Sequence, residues 1–205
     1  MASDLFPDTI LIRPDILSRL DFAALFGNTA PVELELGAGD GSFLLQYSAA
    51  HPEVIFLGVE RLFGRLRKID RKGRRQGLKN LRGLRMEATY LMDWMIAPAS
   101  LSAIHVYFPD PWPKKRHHKR RIVQTGFVEL LAQKMAAGGI VHMATDWENY
   151  AGHMLEVLQA NPDFENLSES GDYCVRPAWR PLTKYEKRGQ KLGHGVYDLL
   201  FLRRS

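Results

Sequence analysis

The chain has 205 residues, of which 45% are hydrophobic and 25% are charged, and its formal net charge at pH 7 is +5. This length supports one domain with a substantial hydrophobic core, and the composition is typical of a globular protein. The sequence shows no apolar run long enough to span a membrane and no signal-peptide pattern, and its single cysteine, Cys174, excludes an internal disulfide, so we expect a cytoplasmic protein.

Hydrophobic periodicity predicts that strands and helices alternate along most of the chain, after an irregular N-terminal lead-in at residues 1–30. A short amphipathic piece falls within that lead-in, at 16–26. The strands are predicted at 31–36, 54–59, 80–86, 102–108, 140–144, 173–175 and 196–202. The helices are predicted at 42–50, 61–76, 123–137 and 147–159, with a short one after residue 88.

This alternation predicts a single α/β domain over 31–205, built on a Rossmann-like, doubly wound sheet. The sheet is expected to be mostly parallel, with helices on both faces. The last two strands, 173–175 and 196–202, are expected to pair as an antiparallel C-terminal edge hairpin, joined by a surface loop at 176–195. In such a sheet the ligand crevice lies at the carboxyl ends of the strands.

Acidic residues recur at or near the ends of these predicted strands, namely Glu35, Glu60, Glu87, Asp110 and Asp146. Because the carboxyl ends of parallel strands meet at one edge of a sheet, we expect these carboxylates to surround a single crevice. An acid near a helix N-terminus is also stabilised by the helix dipole, which is the alternative explanation for each acid taken alone. Five acids in equivalent positions favour a shared site.

The turn after the first strand carries glycine at positions 37, 39 and 41, with Ser42 at the sixth position of the pattern. A dinucleotide fingerprint has glycine or alanine at that sixth position, and a phosphate-binding loop continues with Lys-Ser or Lys-Thr, which this turn lacks. Gly37 and Gly39 still allow a ligand to approach the backbone, and the N–H groups of the following helix can bind a carboxylate.

The next two strand ends add groups suited to a nucleoside. Glu60, about twenty residues after the turn, is placed to accept from two ribose hydroxyls. Glu87 and Ala88 can contact an adenine edge through a side-chain acceptor and a backbone donor. A nucleoside with an amino-acid tail matches all three features, so the predicted cofactor is S-adenosylmethionine.

A proline-interrupted loop follows the fourth predicted strand, where Pro109, Pro111 and Pro113 alternate with Asp110 and Trp112. Proline fixes its own φ, lacks an N–H and pushes the preceding residue out of the helical region. Neither a strand nor a helix can pass through this stretch, so we expect a stiff loop that holds the carboxylate and the indole in place. Six Lys or Arg residues follow at 114–121, which indicates a site that binds a base beside its phosphates.

Positive charge is concentrated in three tracts, 61–85, 114–121 and 176–204, and the first holds eleven Lys or Arg residues against one acid. A single tract is usually a solvated helix face, but three together favour a nucleic-acid partner. His117 and His118 lack the Cys/His spacing of a metal site, so no metal is expected.

Four blocks of the sequence resemble the bacterial single-subunit tRNA (guanine-N7-)-methyltransferases. They are ELGAGDG at 35–41 with GVE at 58–60, YFPDPWPKKRHHKRR at 107–121, ATDWENYA at 144–151 and TKYE at 183–186. The resemblance implies that 31–205 is an S-adenosylmethionine-dependent methyltransferase domain acting on a guanosine N7 in the tRNA variable loop, at position 46 in tRNA numbering. It implies a cofactor site with Glu35, Glu60, Glu87 and Asp110, a catalytic or target-base role for Asp110, and substrate contacts from Lys114, Asp146, Thr183, Lys184, Tyr185 and Glu186.

The chemistry of the reaction explains what a carboxylate at Asp110 can do. Guanine N7 carries a free lone pair, so no general base is needed, and the remaining task is to position the base. As positive charge moves onto the purine, a fixed carboxylate that accepts from N1–H and the exocyclic amine binds the transition state better than the ground state. Asp110 is the candidate, with Asp146 or Glu186 sharing the task.

The residues alone leave other functions open. A methyltransferase acting on another RNA or on a small molecule would need the same cofactor site. A non-catalytic RNA-binding protein would keep the basic tracts but would not need the strand-end acids, and a nicotinamide oxidoreductase is disfavoured by Ser42 and the basic surface. The chain is expected to act without a membrane, as a monomer or a homodimer.

Overall fold

The computed structural model describes residues 10–183, 186–187 and 195–205. The strands are β1 (Leu11–Ile12), β2 (Val32–Leu36), β3 (Ile55–Val59), β4 (Leu81–Leu84), β5 (Leu101–Tyr107), β6 (Met135–Thr145), β7 (Phe164–Asn166) and β8 (Tyr197–Arg203). The helices are α1 (Phe22–Phe26), α2 (Ser42–Ala50), α3 (Phe63–Arg75), α4 (Ala88–Tyr90), α5 (Thr125–Lys134) and α6 (Glu148–Gln159). A π-helical turn, Leu91–Met95, continues α4, and a 3-10 helix, Lys115–Arg120, lies in the second basic tract.

The eight strands form one sheet in the order β1-β4-β3-β2-β5-β6-β8-β7. Strands β1 to β6 pair in parallel, and β8 runs antiparallel to both β6 and β7. The strand order changes direction between β2 and β5, which is where a doubly wound sheet opens a crevice. The predicted fold class, a mostly parallel Rossmann-like sheet with an antiparallel C-terminal edge, is confirmed.

Side chains of alternating strand positions form separate apolar clusters on the two faces. Leu34 of β2 and Ile104 of β5 belong to the larger cluster, together with buried residues of α5 and α6. Phe56 of β3 belongs to a second cluster, together with buried residues of α2 and α3. A side chain at Gly58 would come within 2.2 Å of Leu44, so glycine at this position lets α2 pack closely against β3.

Two parts of the sheet differ from the sequence-based prediction. The edge strand beside β8 is β7, whereas the predicted strand at 173–175 forms only an isolated bridge through Cys174. Phe164 of β7 is buried in the main core but Val175 is 93% exposed, so apolar burial favours the earlier segment. In the predicted lead-in, β1 pairs with β4, and the Ile10 N–H donates to Asp70 at 2.8 Å.

Other differences are smaller. The predicted helix at 123–137 ends at Lys134, and β6 begins at once with Met135. The predicted loop at 176–195 contains Arg180, which is fully buried. Among the residues that the structure describes, no helix combines the length and the apolar character needed to cross a bilayer.

Candidate functional site

A cavity of about 340 Å³ opens at the carboxyl ends of β2, β3, β4 and β5, where the strand order changes direction. Its volume lies within the range of roughly 300–1,000 Å³ that small-molecule sites occupy. Predicted site residues from all four strand ends line it, namely Gly37, Glu60, Glu87, Ala88 and Asp110. The structure therefore brings together residues that are up to 73 positions apart in the sequence.

Glu60 links the glycine turn to the end of β3. Its two carboxylate oxygens accept from the N–H of Gly39 at 3.0 Å and from the N–H of Leu62 at 2.8 Å. The Arg65 guanidinium lies 3.4 Å from the carboxylate. These contacts fix the side chain at the cavity wall, and an ionised carboxylate has further lone pairs for ligand hydroxyl groups.

Glu35 is buried just before the wall, since Leu36 and Gly37 line the cavity and Glu35 itself is only 4% exposed. Burial, followed by the charges of Asp40 and Glu60, raises the pKa of Glu35 to about 8. Its Oε2 atom has no hydrogen-bond partner among the described residues. A buried acceptor without a partner is costly, so this position fits a ligand that carries positive charge or donates a hydrogen bond.

The glycine turn adopts backbone conformations that side chains rarely tolerate. Gly37, Gly39 and Gly41 have φ values of 80°, 55° and 74°. The N–H groups of Gly37 and Ala38 both donate to the Val59 carbonyl at 2.9 Å, which holds the turn against β3. The N-cap of α2 is Gly41, and Ser42 is the first residue of the helix.

Glu87 is the N-cap of α4 at the third strand end. Its carboxylate accepts from the N–H of Tyr90 at 3.0 Å and from the Thr89 hydroxyl. Partial burial acts to raise the pKa of Glu87, but the hydrogen bonds from Thr89 and Tyr90 outweigh it, and the pKa lies below its usual value. The carboxylate is therefore ionised and available as an acceptor on the cavity wall.

The proline loop after β5 is held in a strained shape. Phe108 and Trp112 have φ values of 50° and 45°, which are unusual for bulky side chains. Arg121 is buried, and its guanidinium donates to the Pro111 carbonyl at 2.9 Å and to Asn149 Oδ1 at 2.7 Å. Sequence alone grouped Arg121 with the phosphate-facing cations, but here it fixes the loop to α6.

The mouth of the cavity carries an aromatic and cationic wall. Arg120 lies over the Trp112 ring, 5.0 Å from its centre, and the His117 ring is perpendicular to the indole, with the two ring centres 5.9 Å apart. Trp112 and Arg120 line the cavity together with the exposed Asp110. Sequence reasoning did not single out Arg120, because nothing in a run of like charges shows which one turns toward the cavity.

The remaining predicted residues lie outside the cavity wall. Lys114 is exposed just before the 3-10 helix, and Asp146 is partly exposed after β6. Glu186 is only 1% exposed, and both of its carboxylate oxygens accept from Arg180 at 2.8 Å. Thr183 accepts from the Glu186 N–H through its hydroxyl at 3.1 Å. The predicted contacts of Lys184 and Tyr185 fall outside the described residues.

Acids at the cavity are bound to backbone groups or buried, and the described residues hold no cluster of metal-ligand type. Within residues 10–183, 186–187 and 195–205, no group of three or more His, Cys, Asp or Glu side chains could hold a metal ion. The acids at the cavity are instead engaged with backbone N–H groups, as at Glu60 and Glu87, or buried, as at Glu35.

Comparison with known proteins shows the family to which this protein belongs. Residues 29–199 match a family model described as "Putative methyltransferase". The tRNA (guanine-N(7)-)-methyltransferase of Psychromonas ingrahamii is 53% identical over 186 residues, which cover 91% of this chain and 76% of that protein. The enzyme of the same name from Sodalis glossinidius is 51% identical over 182 residues, which cover 89% of this chain and 76% of that protein.

This chain belongs to the tRNA (guanine-N7-)-methyltransferase family. The resemblance found in the four sequence blocks is thereby confirmed, and the chain is a methyltransferase. Among solved structures, the 16S rRNA methyltransferase KamB superposes with a TM-score of 0.63 at 15% identity, covering 90% of this chain and 93% of that chain. Phosphoethanolamine N-methyltransferase 2 from Haemonchus contortus, in complex with S-adenosyl-L-methionine, superposes with a TM-score of 0.54 at 12% identity. The match covers 88% of this chain and 51% of that chain. These two share the fold with this family member.

Proposed function

We propose that this methyltransferase transfers a methyl group from S-adenosylmethionine to N7 of a guanosine in the tRNA variable loop, at position 46 in tRNA numbering. The observation that carries the proposal is the cavity at the four strand ends, where Glu60, Glu87 and Asp110 share one wall. The two relatives named above support tRNA and guanine N7 as the targets. A cytoplasmic location and a monomeric or homodimeric state remain predictions.

The residues of the cavity fit S-adenosylmethionine. When bound, this cofactor supplies a methyl group that its positively charged sulfonium has already activated. Glu60 is held in place for ribose hydroxyls, and Glu87 with Ala88 offers an ionised acceptor and a backbone donor for adenine. Glu35, which is buried and has an unpartnered oxygen among the described residues, complements the positive charge that the cofactor carries.

Asp110 is placed to act on the target base. It is exposed at the cavity wall, on a loop that Arg121 and three prolines hold rigid. Holding N7 in line with the methyl group can supply roughly 7–11 kcal/mol of the barrier reduction. A carboxylate that accepts from the guanine N1–H and amine strengthens its interaction as the purine gains charge, which lowers the barrier further. Asp110 thus positions the guanine and stabilises its transition state.

The tRNA would lie across the exposed cations beside the cavity. The 3-10 helix and the residue before it expose Lys114, Lys115, Arg116 and Lys119. Helix α3 exposes further cations along its outer side, at Arg67, Lys68, Arg71 and Arg75. Such a surface binds phosphates without reading sequence, so position selectivity has to come from the groups at the cavity.

The test is methylation of an unmodified tRNA transcript with methyl-labelled S-adenosylmethionine, mapped by chemical cleavage at 7-methylguanosine. We expect one cleavage site, at position 46, that requires both the protein and the cofactor. A matched transcript with adenosine at that position should accept no label. Label at another position, in another RNA only, or in no RNA would contradict the proposal.

A further inference from the structure

Polar side chains form a continuous hydrogen-bonded chain, buried except at Glu33, across the face of the sheet that α2 covers. Glu33 Oε2 lies 2.7 Å from His105 Nε2, and His105 Nδ1 lies 3.0 Å from the Tyr107 hydroxyl. The same hydroxyl lies 2.8 Å from His142 Nδ1, and His142 Nε2 lies 2.8 Å from Asp198. This series of hydrogen bonds therefore runs from β2 through β5 and β6 to β8.

The protonation states of His142 and Tyr107 decide which group donates in each of these hydrogen bonds. Burial is the main cause that lowers the pKa of His142 to about 4, so its ring is neutral and its Nε2–H donates to Asp198. His142 Nδ1 then accepts from the Tyr107 hydroxyl, which burial keeps protonated by raising its pKa well above the usual value. The hydroxyl oxygen is left to accept from His105 Nδ1–H. Each contact thus depends on its neighbours.

Arg180 joins this series of hydrogen bonds to Glu186, one of the predicted substrate contacts. It is fully buried, and its two terminal nitrogens donate to the two oxygens of Glu186 at 2.8 Å each. One of these nitrogens also donates to Asp198 at 3.0 Å, and Nε makes an ion-pair contact with Asp198 at 2.8 Å. The guanidinium lies over the ring of Tyr107, which lines the cavity.

The segment around Arg180 contacts the sheet through these polar groups and through the ring of Trp179. Trp179 lies 5.0 Å from the His142 ring and 5.4 Å from the Tyr47 ring of α2, yet it remains 40% exposed. Arg176 donates to the Arg180 carbonyl. Charge-assisted, bidentate contacts fix distance and orientation more strictly than apolar packing does, so they suit a segment whose position matters for function.

Glu186 is held as an anchor by this arrangement. Both of its oxygens are engaged by one buried guanidinium, and its N–H donates to Thr183. The Lys187 N–H donates to the Thr183 carbonyl at 3.0 Å, which ties Thr183 to the residue that follows Glu186. With both oxygens bound to Arg180 and the residue buried, Glu186 is fixed to the fold.

We propose that Arg180 is the positioning residue that sets Thr183 and Glu186, and with them the tRNA contact predicted at Thr183, relative to the cavity wall at Tyr107. This inference rests on the proposed function, because it assigns a task within the same reaction. Arg180 itself touches neither tRNA nor cofactor. It acts through Glu186 on one side and through Asp198 and Tyr107 on the other.

The test compares Arg180→Lys with the parent and with the control Arg19→Lys. Lysine keeps the charge but cannot reproduce the bidentate fork. Arg19 is exposed and lies outside the three basic tracts. We expect the Arg180 variant to melt cooperatively and to bind S-adenosylmethionine within about twofold of the parent. Its kcat/KM for tRNA should fall about 100-fold, the scale of a 1 Å misplacement.

Two further measurements separate positioning from general damage. Hydrogen exchange at the Glu186 and Lys187 amides should accelerate in the Arg180 variant, while β6 amides keep their protection. The double variant Arg180→Lys, Glu186→Gln should be no worse than the worse single variant, because residues that act as one unit are not additive. If Arg180→Lys does not fold, Glu186→Gln alone should show the same pattern, in which kcat/KM for tRNA falls while the affinity for the cofactor stays near that of the parent.

Several results would overturn the inference. One is a kcat/KM for the Arg180 variant within threefold of the parent. Another is a loss of cofactor affinity as large as the loss of activity, and a third is unchanged hydrogen exchange at the Glu186 and Lys187 amides. A parent protein that binds the cofactor but methylates no tRNA would instead count against the proposed function. An active parent beside an equally active variant counts against Arg180 alone.

Discussion

Binding of S-adenosylmethionine is expected to release a proton from Glu35. Burial and the charges of Asp40 and Glu60 raise the pKa of Glu35 to about 8, so about 90% of this carboxyl is protonated at pH 7. A bound cofactor carries positive charge, which favours the ionised carboxylate and lowers its pKa. If the pKa returns to the ordinary value of 4.5, binding at pH 7 releases about 0.9 proton.

The assay is calorimetry of cofactor binding in two buffers with different ionisation enthalpies, such as phosphate and Tris. The difference between the two observed enthalpies, divided by the difference between the two ionisation enthalpies, gives the number of protons released. Cofactor Kd should also tighten as pH rises toward 8, by up to about tenfold per pH unit. Glu35→Gln is the matched control, because its side chain has the same size and no titratable proton. The reasoning would be refuted if the parent protein gave equal binding enthalpies in both buffers and a cofactor Kd that does not change with pH.

The same carboxyl should leave a mark on the stability of the free protein. Its pKa in the folded state lies above its unfolded value of 4.5, so unfolding releases a proton between pH 4.5 and 8, and stability falls as pH rises through this window. The cost at pH 7 amounts to about 3 kcal/mol relative to pH 4.5. Denaturant unfolding should therefore show a parent that gains stability over Glu35→Gln as pH falls, with the difference levelling off below pH 4.5.

Three other substitutions test separate parts of the site. Asp110→Asn should lower the single-turnover rate about 100- to 1,000-fold, because it removes charge stabilisation, while an exposed loop residue leaves the melting temperature nearly unchanged. Lys114→Ala with Arg116→Ala should weaken tRNA binding and lower its salt slope by about 0.7–0.9 per lost phosphate contact, measured by titration at several salt concentrations. Arg121→Met should cost about 1–3 kcal/mol in denaturant unfolding and reduce activity, because it frees the Pro111 carbonyl and the loop.

Each of these has an outcome that contradicts it. Full single-turnover activity in the Asp110 variant would exclude a role for that carboxylate in the reaction. The variant with both substitutions in the basic tract is compared with Arg19→Ala, because Arg19 is exposed and lies outside the three basic tracts. Equal salt slopes in the two proteins would place the RNA elsewhere. An Arg121 variant with unchanged stability would show that the loop keeps its shape without that contact.

The sequence indicated the cavity because its signals are local and the parallel sheet brings them together. Each acid follows its own strand, so Glu60, Glu87 and Asp110 could be placed at one edge without knowing any long-range contact. The glycine turn could be read in the same way, since positive φ values at Gly37 and Gly39 are a property of the turn itself.

Contacts between distant segments could not be read in this way. Nothing local distinguishes Arg121 from the exposed cations before it, and only packing against Tyr150 and Asn149 shows that it is buried. The sequence predicts the edge strand at 173–175 instead of at β7 for the same reason, because the burial of Phe164 in the core cannot be seen from the local sequence. Arg180 belonged to an apparent surface loop until its pairing with Asp198 placed it inside the fold.

The most direct measurement is a crystal structure of the protein with S-adenosylhomocysteine. We predict that the ligand lies at the carboxyl ends of the strands, with its ribose at Glu60 and its adenine at Glu87 and Ala88. A second cavity, of about 420 Å³, lies at the opposite ends of the strands, beside Val32 and Ser102. Ligand density in that cavity, or at any place away from Glu60, would contradict the central claim that the strand-end acids form one cofactor site.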